Sequence, residues 1–262
     1  MSTRRTAGGP TANTLIVEER AMALADDIAN WIAGQVCGAG MNGTVVALSG
    51  GIDSAVVSGL CARALGAQHV LGIILPINSN PDDAVHGEVT ARTWGIEYQT
   101  IDLSGAYDAL AAALPTGSDL AYANIKPRLR MIALYHHANT LGRMVIGTGN
   151  RSELMAGYYT KYGDGGTDLL PIAGLYKWQV RDLAREIGVP PAIIAKPPSA
   201  GLWLGQTDEQ EMGISYGDLD RTLTAIDAGE EATIEASMLA RVQSMIRSSE
   251  HKRHLPPIYT PE

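Results

Sequence analysis

One stretch of the chain, residues 45–60 (VVALSGGIDSAVVSGL), limits its fold more than any other. Its first residues are apolar and β-branched and follow Asn42-Gly43, which is typical of a buried parallel strand. The residues after the two glycines have the composition of a helix. A strand that turns sharply into a helix begins a βαβ unit, so we expect an α/β fold with a parallel sheet flanked by helices.

The turn between this strand and helix, residues 49–54 (SGGIDS), predicts an anion site. Gly50 and Gly51 can adopt backbone angles closed to other residues, and they let a ligand approach the main chain. The first N–H groups of a helix have no partner within it, and the helix dipole favours an anion there. The sequence has no G-x-x-x-x-G-K-[ST], so the turn has no lysine for a γ-phosphate. We therefore expect a phosphate cradle of another kind.

Asp53 lies in this turn, beside the expected phosphate. A carboxylate in that position repels the ligand unless a metal ion lies between them, so we interpret Asp53 as a Mg²⁺ ligand. The alternative is that Asp53 or Ser54 only caps the helix. A plain cap does not need two glycines and two serines around it, which favours the metal site.

The pattern S-G-G-x-D-S after a strand resembles that of the N-type ATP pyrophosphatases, the PP-loop enzymes. The resemblance implies that ATP is split between its α and β phosphates and that the loop holds pyrophosphate. We call residues 47–54 the PP-loop. The match identifies a superfamily, so the substrate must be inferred from other parts of the chain.

Composition limits the classes of partner. Of the 262 residues, 45% are hydrophobic and 18% are charged, and the formal net charge is −8. This balance argues against a general nucleic-acid or membrane-surface binder and favours small molecules. Cys37 and Cys61 form no C-x-x-C pair for zinc or sulfur chemistry and are interpreted as reduced, packed thiols. Because no apolar run spans a membrane, we expect a cytoplasmic protein with a flexible tail, residues 1–13, and a single domain, residues 14–262.

Strands and helices alternate along the rest of the chain. Further strands are predicted over residues 69–75, 96–103 and 143–148. Helices are predicted over residues 15–36, 81–94, 105–114, 119–141, 176–187, 214–227 and 230–247. Pro127 should kink or split the helix 119–141 unless that helix begins there. Residues 196–213 are predicted to be irregular, and loops of that length are often lids or binding loops.

A second glycine turn, residues 147–153 (GTGNRSE), follows the strand 143–148. Thr148 can donate a hydrogen bond to a ligand at the strand end, and Glu153 lies one helical turn after Asn150. Together with Asp53, Glu153 supplies two carboxylates for one Mg²⁺ ion. The alternative is an ordinary first-turn acid favoured by the helix dipole, and the residues alone do not separate the two.

Residues 147–220 closely resemble the NAD synthetases, above all in GTGNRSELMAGYYTKYGDGGTDLLPI, LYKWQVRDLA and KPPSAGLWLGQTDEQEMGISYGDLD. With the PP-loop, residues 124–128 and residues 251–252, the resemblance covers nearly the whole chain after residue 15. It implies an adenine nucleotide α-hydrolase-like, Rossmann-like three-layer sandwich. It also implies an ammonia-dependent ligase that converts deamido-NAD to NAD, the last step of NAD biosynthesis. ATP is consumed through an NAD-adenylate, and AMP and pyrophosphate are released.

The resemblance also implies roles for individual residues. It implies ATP contacts for Ala47, Leu48, Ser49, Gly50, Gly51, Ile52, Asp53, Ser54, Thr148, Lys177 and Ser199. It implies deamido-NAD contacts for Arg128, Lys161, Asp168, His251 and Lys252. The expected catalytic residues are Asp53, Lys177 and Asp168, and the expected metal ligands are Asp53 and Glu153. Binding or deprotonation of ammonium by Asp168 is a hypothesis. Without the resemblance, Lys177, Arg128 and His251-Lys252 would be interpreted as solvated or ion-paired charges.

Members of the resembled family are homodimers that bind the dinucleotide across the subunit interface. The candidates for that contact in this chain are the predicted helices 15–36 and 119–141. The chain has no room for an amide-hydrolysing domain and no nucleophilic cysteine in such a context, so free ammonia is the expected nitrogen donor. A separate glutaminase subunit stays an alternative.

Three other functions are alternatives to this one. A PP-loop enzyme that adenylates and thiolates tRNA would need a basic surface and usually catalytic or metal-binding cysteines, and this acidic chain with two unpaired cysteines lacks both. A nucleotide-binding protein without catalysis is disfavoured by the presence of Asp53, Glu153 and Lys177. A PP-loop ligase that aminates a purine nucleotide is disfavoured by the loop from Lys161 to Asp168.

Overall fold

The computed structural model describes residues 12–201, 203 and 205–261. The prediction of a flexible tail over residues 1–13 therefore lies outside the described residues, except at its end, where Ala12 already begins the first helix. Among the described residues, no helix has the length and apolarity needed to cross a membrane.

The described residues form four strands and twelve α-helices. The strands are β1 (Thr44–Ala47), β2 (Val70–Ile74), β3 (Glu97–Thr100) and β4 (Met144–Ile146). The helices are α1 (Ala12–Gly38), α2 (Ile52–Leu65), α3 (Pro81–Trp94), α4 (Ser104–Ala113), α5 (Asp119–Ala123), α6 (Ile125–Leu141), α7 (Arg151–Ala156), α8 (Lys177–Ile187), α9 (Pro191–Ile194), α10 (Asp208–Met212), α11 (Tyr216–Ala228) and α12 (Ala236–Arg253).

The four strands form one parallel sheet in the order β3-β2-β1-β4. In the centre, Val45 of β1 pairs with Leu71 of β2 on one side and with Val145 of β4 on the other. The chain leaves β1 and β4 at the same edge of the sheet, so the PP-loop and the second glycine turn lie side by side. This is the point at which the strand order reverses, where parallel sheets bind their ligands.

Helices cover both faces of the sheet, as the sequence predicted. On one face, α1, α2 and α8 bury their apolar side chains in the main core. On the other face, Leu134 and Ala138 of α6 pack against Val45, Leu71 and Ile73. A smaller cluster joins α11 and α12 to α7. The three-layer α/β prediction is therefore confirmed.

The helix predicted over residues 119–141 is two helices. The chain breaks at Asn124, between α5 and α6. Pro127 lies in the first turn of α6, where its missing N–H would have had no partner within the helix. The prediction that Pro127 would split the helix is confirmed, although α6 begins two residues earlier, at Ile125.

Other boundaries also differ from the prediction. The strand predicted over residues 96–103 ends at Thr100, because the Asp102 carboxylate accepts a 2.8 Å hydrogen bond from the Ser104 N–H at the start of α4. The last helix begins at Ala236, where the preceding Glu235 caps it, and continues to Arg253. His251 and Lys252 thus belong to a helix and not to a charged tail.

Candidate active site

A cavity of about 490 Å³ opens where β1 and β4 end. The PP-loop, the second glycine turn, the residues after β2 and residues 196–201 contribute to its lining. The residues predicted to contact ATP that line it are Ala47, Leu48, Ser49, Gly51, Asp53, Thr148, Lys177 and Ser199. The other three predicted ATP contacts, Gly50, Ile52 and Ser54, lie in the same loop but do not line the cavity.

The PP-loop has the conformation that its glycines predict. Gly50 has a φ of +73°, and a Cβ atom on it would lie 2.4 Å from the Asp83 carbonyl oxygen. No side chain caps α2, whose N-cap residue is Gly51, and the Ser54 hydroxyl donates to the Gly51 carbonyl oxygen at 2.9 Å. The alternative interpretation of Asp53 or Ser54 as a helix cap is therefore wrong. The start of α2 is left for an anion.

Asp53 and Glu153 meet at the ammonium of Lys177. The Lys177 Nζ atom lies 2.6 Å from Asp53 Oδ2 and 3.1 Å from Glu153 Oε1, and Lys177 is only 1% exposed. Asn150 connects the same carboxylates, since its Nδ2 donates to Asp53 Oδ1 at 3.0 Å and its backbone N–H donates to Glu153 Oε2 at 3.3 Å. The two glycine turns are thus joined by one network of side chains.

Burial determines the charges in this network. Burial raises the pKa of Glu153 to about 7, although the nearby Lys177 ammonium opposes the shift. Burial also acts to lower the pKa of Lys177, but the attraction of Asp53 and Glu153 is stronger, so that pKa lies above its usual range. Lys177 therefore keeps its charge at neutral pH, and the carboxylates around it favour a further cation.

The donor set fits Mg²⁺. Asp53 and Glu153 offer hard oxygen ligands that already converge on one cationic atom. In the part of the chain that the structure describes, this site included, no group of three or more His, Cys, Asp or Glu side chains is arranged to hold a metal by itself. Mg²⁺ is commonly bound by one or two carboxylates together with phosphate oxygens and water, so two protein ligands suffice.

Four of the residues predicted to contact the dinucleotide come together although they belong to three segments. Arg128 on α6 donates to the Lys161 carbonyl oxygen at 3.3 Å, and Lys161 Nζ donates to the carbonyl oxygen of His251. Lys252 Nζ donates to the carbonyl oxygens of Gly157 and Tyr159 at 2.7 and 2.8 Å. Lys252 lines the cavity, whereas Arg128 and His251 are exposed on the surface.

Asp168, the fifth of these residues, lies apart from the cavity lining. Its Oδ1 accepts a hydrogen bond from the Tyr135 hydroxyl at 2.9 Å, and its Oδ2 accepts from the Val145 N–H at 2.8 Å. The aspartate of the same loop that lines the cavity is Asp164, whose carboxylate accepts from the Thr160 N–H at 2.8 Å. The sequence offered two aspartates four residues apart and no periodicity by which to choose between them.

A family model described as NAD synthase matches residues 24–256 of the chain. The chain belongs to the NAD synthase family. It is 48% identical to the NH(3)-dependent NAD(+) synthetase of Archaeoglobus fulgidus, over 88% of this chain and 94% of that protein. The enzyme of the same name from Methanosarcina mazei is also 48% identical, over 88% of this chain and 95% of that one.

Solved structures give the same family. An NMN synthetase from Francisella tularensis has a TM-score of 0.83 and 37% identity, with 92% of this chain and 98% of that chain covered. An NH3-dependent NAD synthetase from Campylobacter jejuni has a TM-score of 0.80 and 27% identity, with 92% and 99% covered. The resemblance to NAD synthetases is confirmed, and the tRNA-thiolating and purine-aminating alternatives are not supported.

Sequence reasoning missed two buried partners of Lys177 in this NAD synthase. The Tyr216 hydroxyl donates to Asp208 Oδ2 at 3.0 Å, and the Tyr216 ring centroid lies 5.0 Å from Lys177 Nζ. Asp208 is 4% exposed, and its Oδ1 has no hydrogen-bond partner in the described part of the chain. Burial raises the pKa of Asp208. Two carboxylates, those of Asp53 and Glu153, therefore contact the Lys177 ammonium, and Asp208 lies next to them through its hydrogen bond with Tyr216.

Proposed function

We propose that this NAD synthase amidates the nicotinate carboxylate of deamido-NAD with ammonia, at the expense of ATP. Relatives 48% identical to it carry the name NH(3)-dependent NAD(+) synthetase. The observation that carries the proposal is the convergence of Asp53 and Glu153 on Lys177 in a cavity that the PP-loop lines. That arrangement suits the splitting of ATP at its α-phosphate, beside a carboxylate substrate.

The chemistry explains why ATP is needed. A carboxylate is a poor acyl donor, so one of its oxygens first bonds to the α-phosphorus while the bond to the β-phosphate oxygen breaks and pyrophosphate leaves. Ammonia then attacks the acyl carbon, the bond from that carbon to AMP breaks, and the nitrogen loses a proton. Hydrogen-bond donors and cations that stabilise the negative charge on the leaving groups lower the barriers of both steps. The PP-loop N–H groups and Lys177 are the groups assigned to pyrophosphate and phosphate.

We infer that the enzyme works with Mg²⁺ held by Asp53 and Glu153. The ion, when bound, would offset the negative charge of the phosphate oxygens. Around Lys177 the protein itself supplies more negative than positive charge, which supports the need for a divalent ion before a polyanion binds. Asn150 contacts both carboxylates and is proposed to keep them oriented.

We propose a homodimer formed through α5 and α6. Of the two candidate segments, α1 packs its apolar side chains against α2 and α8 of the same chain, where Ala25, Ile32 and Val36 are buried. By contrast, Leu120 of α5 and Ile132 of α6 are 57% and 59% exposed. Exposed apolar side chains on one surface favour a protein interface. Arg128 lies on the same helix, which supports a dinucleotide site at that interface.

We propose that residues 196–213 form a lid that orders when ATP binds. Ser199 and Asp208 line the cavity, and the N–H of Asp208 donates to the Pro198 carbonyl oxygen at 3.1 Å, which supports a lid role for this segment. Limited proteolysis with and without ATP tests this role. Protection of the segment by ATP supports a lid, and equal cleavage in both states contradicts it.

A second candidate substrate is nicotinic acid mononucleotide. The observation that favours it is the TM-score of 0.83 with the NMN synthetase of Francisella tularensis. Either substrate would fit the same cavity and the same adenylation reaction, because both carry the nicotinate carboxylate. The 48% identical relatives named for NAD favour the dinucleotide.

One assay separates the candidates. Purified protein is incubated with ATP, Mg²⁺ and either deamido-NAD or nicotinic acid mononucleotide, with ammonia or glutamine supplied separately. We expect AMP and NAD in equal amounts with deamido-NAD and ammonia. Faster amidation of the mononucleotide would establish the second candidate, and no AMP release with either substrate contradicts both. The cytoplasmic location stays a prediction.

A further inference from the structure

We propose that Lys196 binds the pyrophosphate part of ATP at the PP-loop, and that Asp83 holds the Lys196 ammonium until the nucleotide enters. The proposal rests on the proposed function, which places the triphosphate at this loop. The PP-loop has no cation of its own, and the fold brings the Lys196 ammonium to it from a distant segment of the chain.

The PP-loop is short of positive charge. Its own residues are glycines, serines, apolar residues and Asp53, and it contains no lysine or arginine. Lys177 does not fill this gap in the ligand-free protein, because its ammonium contacts Asp53 and Glu153. Neutral N–H donors alone bind a phosphate more weakly than donors that include an ammonium or guanidinium. A lysine beside the loop would therefore supply the positive charge that the loop lacks.

Lys196 places its ammonium against the PP-loop itself. Its Nζ donates to the Gly50 carbonyl oxygen at 3.2 Å and to Asp83 Oδ1 at 2.6 Å. Lys196 and Asp83 both line the cavity. An ammonium has three N–H donors, and within the described residues the third has no acceptor. One donor is thus left for a ligand, beside the loop that is proposed to hold pyrophosphate.

The position of Lys196 is fixed by buried structure on both sides. Ile193 of α9 is fully buried in the main core, and the Lys196 N–H donates to the Ile193 carbonyl oxygen at 3.3 Å. On the other side, Gly50 packs against the backbone of Asp83, where a Cβ atom would lie only 2.4 Å from the Asp83 carbonyl oxygen. The ammonium therefore sits between two anchored elements, α9 and the PP-loop with Asp83.

Two roles for this ion pair make opposite predictions. If Lys196 only ties residues 196–201 to α3, then the removal of either Lys196 or Asp83 breaks the same contact and has the same effect. If Lys196 binds phosphate, the Asp83 carboxylate competes with the phosphate for the ammonium. Removal of Asp83 then leaves phosphate binding intact or strengthens it, whereas removal of Lys196 weakens it.

Binding measured without turnover distinguishes these roles. The full chain is titrated in a calorimeter with inorganic pyrophosphate plus Mg²⁺ and, separately, with AMP. We expect Lys196→Met to weaken pyrophosphate binding by about 10- to 100-fold, the range for loss of a hydrogen bond to a charged group. AMP binding should stay within about twofold, since AMP lacks the phosphates that Lys196 is proposed to contact. Lys196→Arg should restore part of the pyrophosphate affinity.

The remaining variants complete the test. Asp83→Asn should bind pyrophosphate as tightly as the wild type or more tightly. Arg185→Gln, in an exposed ion pair with Asp182, removes one positive charge outside the cavity lining and should bind both ligands normally.

Three results would overturn the proposal: wild-type pyrophosphate affinity in Lys196→Met, equal loss of AMP and pyrophosphate affinity in that variant, or equal loss of pyrophosphate affinity in Lys196→Met and Asp83→Asn. If the wild type itself does not bind pyrophosphate, the placement of the triphosphate at the PP-loop is wrong, and the proposal fails with it.

Discussion

The two ends of the candidate site differ in how their cations are satisfied. At the buried end, formed by Asp53, Glu153 and Lys177, an ammonium that is 1% exposed contacts two carboxylates. At the open end, formed by Arg128, Lys161, His251 and Lys252, the three cations donate instead to backbone carbonyl oxygens. The first network pairs its cation with carboxylates, and the second only orients its cations.

One chain therefore completes the buried end of the site and leaves the open end incomplete. A carbonyl oxygen fixes the direction of a lysine or arginine but does not cancel its charge, so the open end keeps a positive field for an anionic ligand. The buried end keeps a negative excess, which a divalent ion would offset. Because Arg128 lies on α6 with the exposed Ile132, we expect the open end to be completed by a second subunit.

The largest expected effect tests the buried end. Lys177→Met leaves the half-buried carboxylates of Asp53 and Glu153 without their buried cation, so we expect the free energy of unfolding of the protein to fall by about 3 kcal/mol. AMP formation should fall by about 100-fold or more. Urea denaturation and a steady-state assay measure the two effects.

The matched variant at the open end is Lys252→Met, which removes hydrogen bonds to two carbonyl oxygens but strands no carboxylate. Lys252→Met should lower the free energy of unfolding by only about 1 kcal/mol. Equal destabilisation by the two substitutions would contradict the distinction between the ends.

The next effect tests whether a second subunit completes the open end. Ile132→Asp puts a charge on the exposed apolar surface of α6, which should dissociate the proposed dimer and raise the KM for deamido-NAD by about 10- to 100-fold. AMP and pyrophosphate binding should not change. Sedimentation velocity measures the assembly, and Ile258→Asp, at a residue that is 83% exposed, is the control. A monomeric wild type with normal activity would refute the interface.

Sequence reasoning succeeded where the signal is local. Asn80-Pro81 at the start of α3 and Gly95 at its end fixed that helix to the residue, because a cap, a first-turn proline and a left-handed glycine each act within one turn. The glycine turn of the PP-loop was recognised for the same reason. Each of these patterns involves residues only a few positions apart, which is the range over which backbone propensities act.

Sequence reasoning failed where partners are far apart in the chain. Lys177 and Asp53 are 124 residues apart, and Lys196 and Asp83 are 113 apart. No periodicity encodes such pairs, because packing of the sheet and its helices decides them. Lys177 is assigned to ATP only through the family resemblance. Tyr216 and Asp208 lie in a segment that carries the same resemblance, residues 196–220, but nothing in the sequence shows that they pack beside Lys177.

A smaller effect is expected from Arg128→Ala at the open end. Loss of one exposed guanidinium should raise the KM for deamido-NAD about tenfold and leave the KM for ATP unchanged. Arg143 is a matched control, because it also donates to a backbone carbonyl, that of Gln68 at 3.4 Å, but lies before β4 at the opposite edge of the sheet. If Arg143→Ala has the same effect on deamido-NAD, the assignment of Arg128 to the dinucleotide is wrong.

The smallest effect concerns Asp168, a carboxylate that forms no ion pair with any residue that the structure describes. It accepts hydrogen bonds from the Tyr135 hydroxyl and the Val145 N–H, and Asp168→Asn keeps an acceptor but removes the charge. If Asp168 attracts or deprotonates ammonium, the KM for ammonium should rise by about two- to fivefold, the scale of one exposed charge. Adenylation measured without ammonia should stay normal. Tyr135→Phe removes the hydrogen bond between Tyr135 and Asp168 without changing the charge. An equal rise in the KM for ammonium in that variant would show that Asp168 has a structural role. Normal ammonia use in Asp168→Asn would exclude a role of Asp168 toward ammonium.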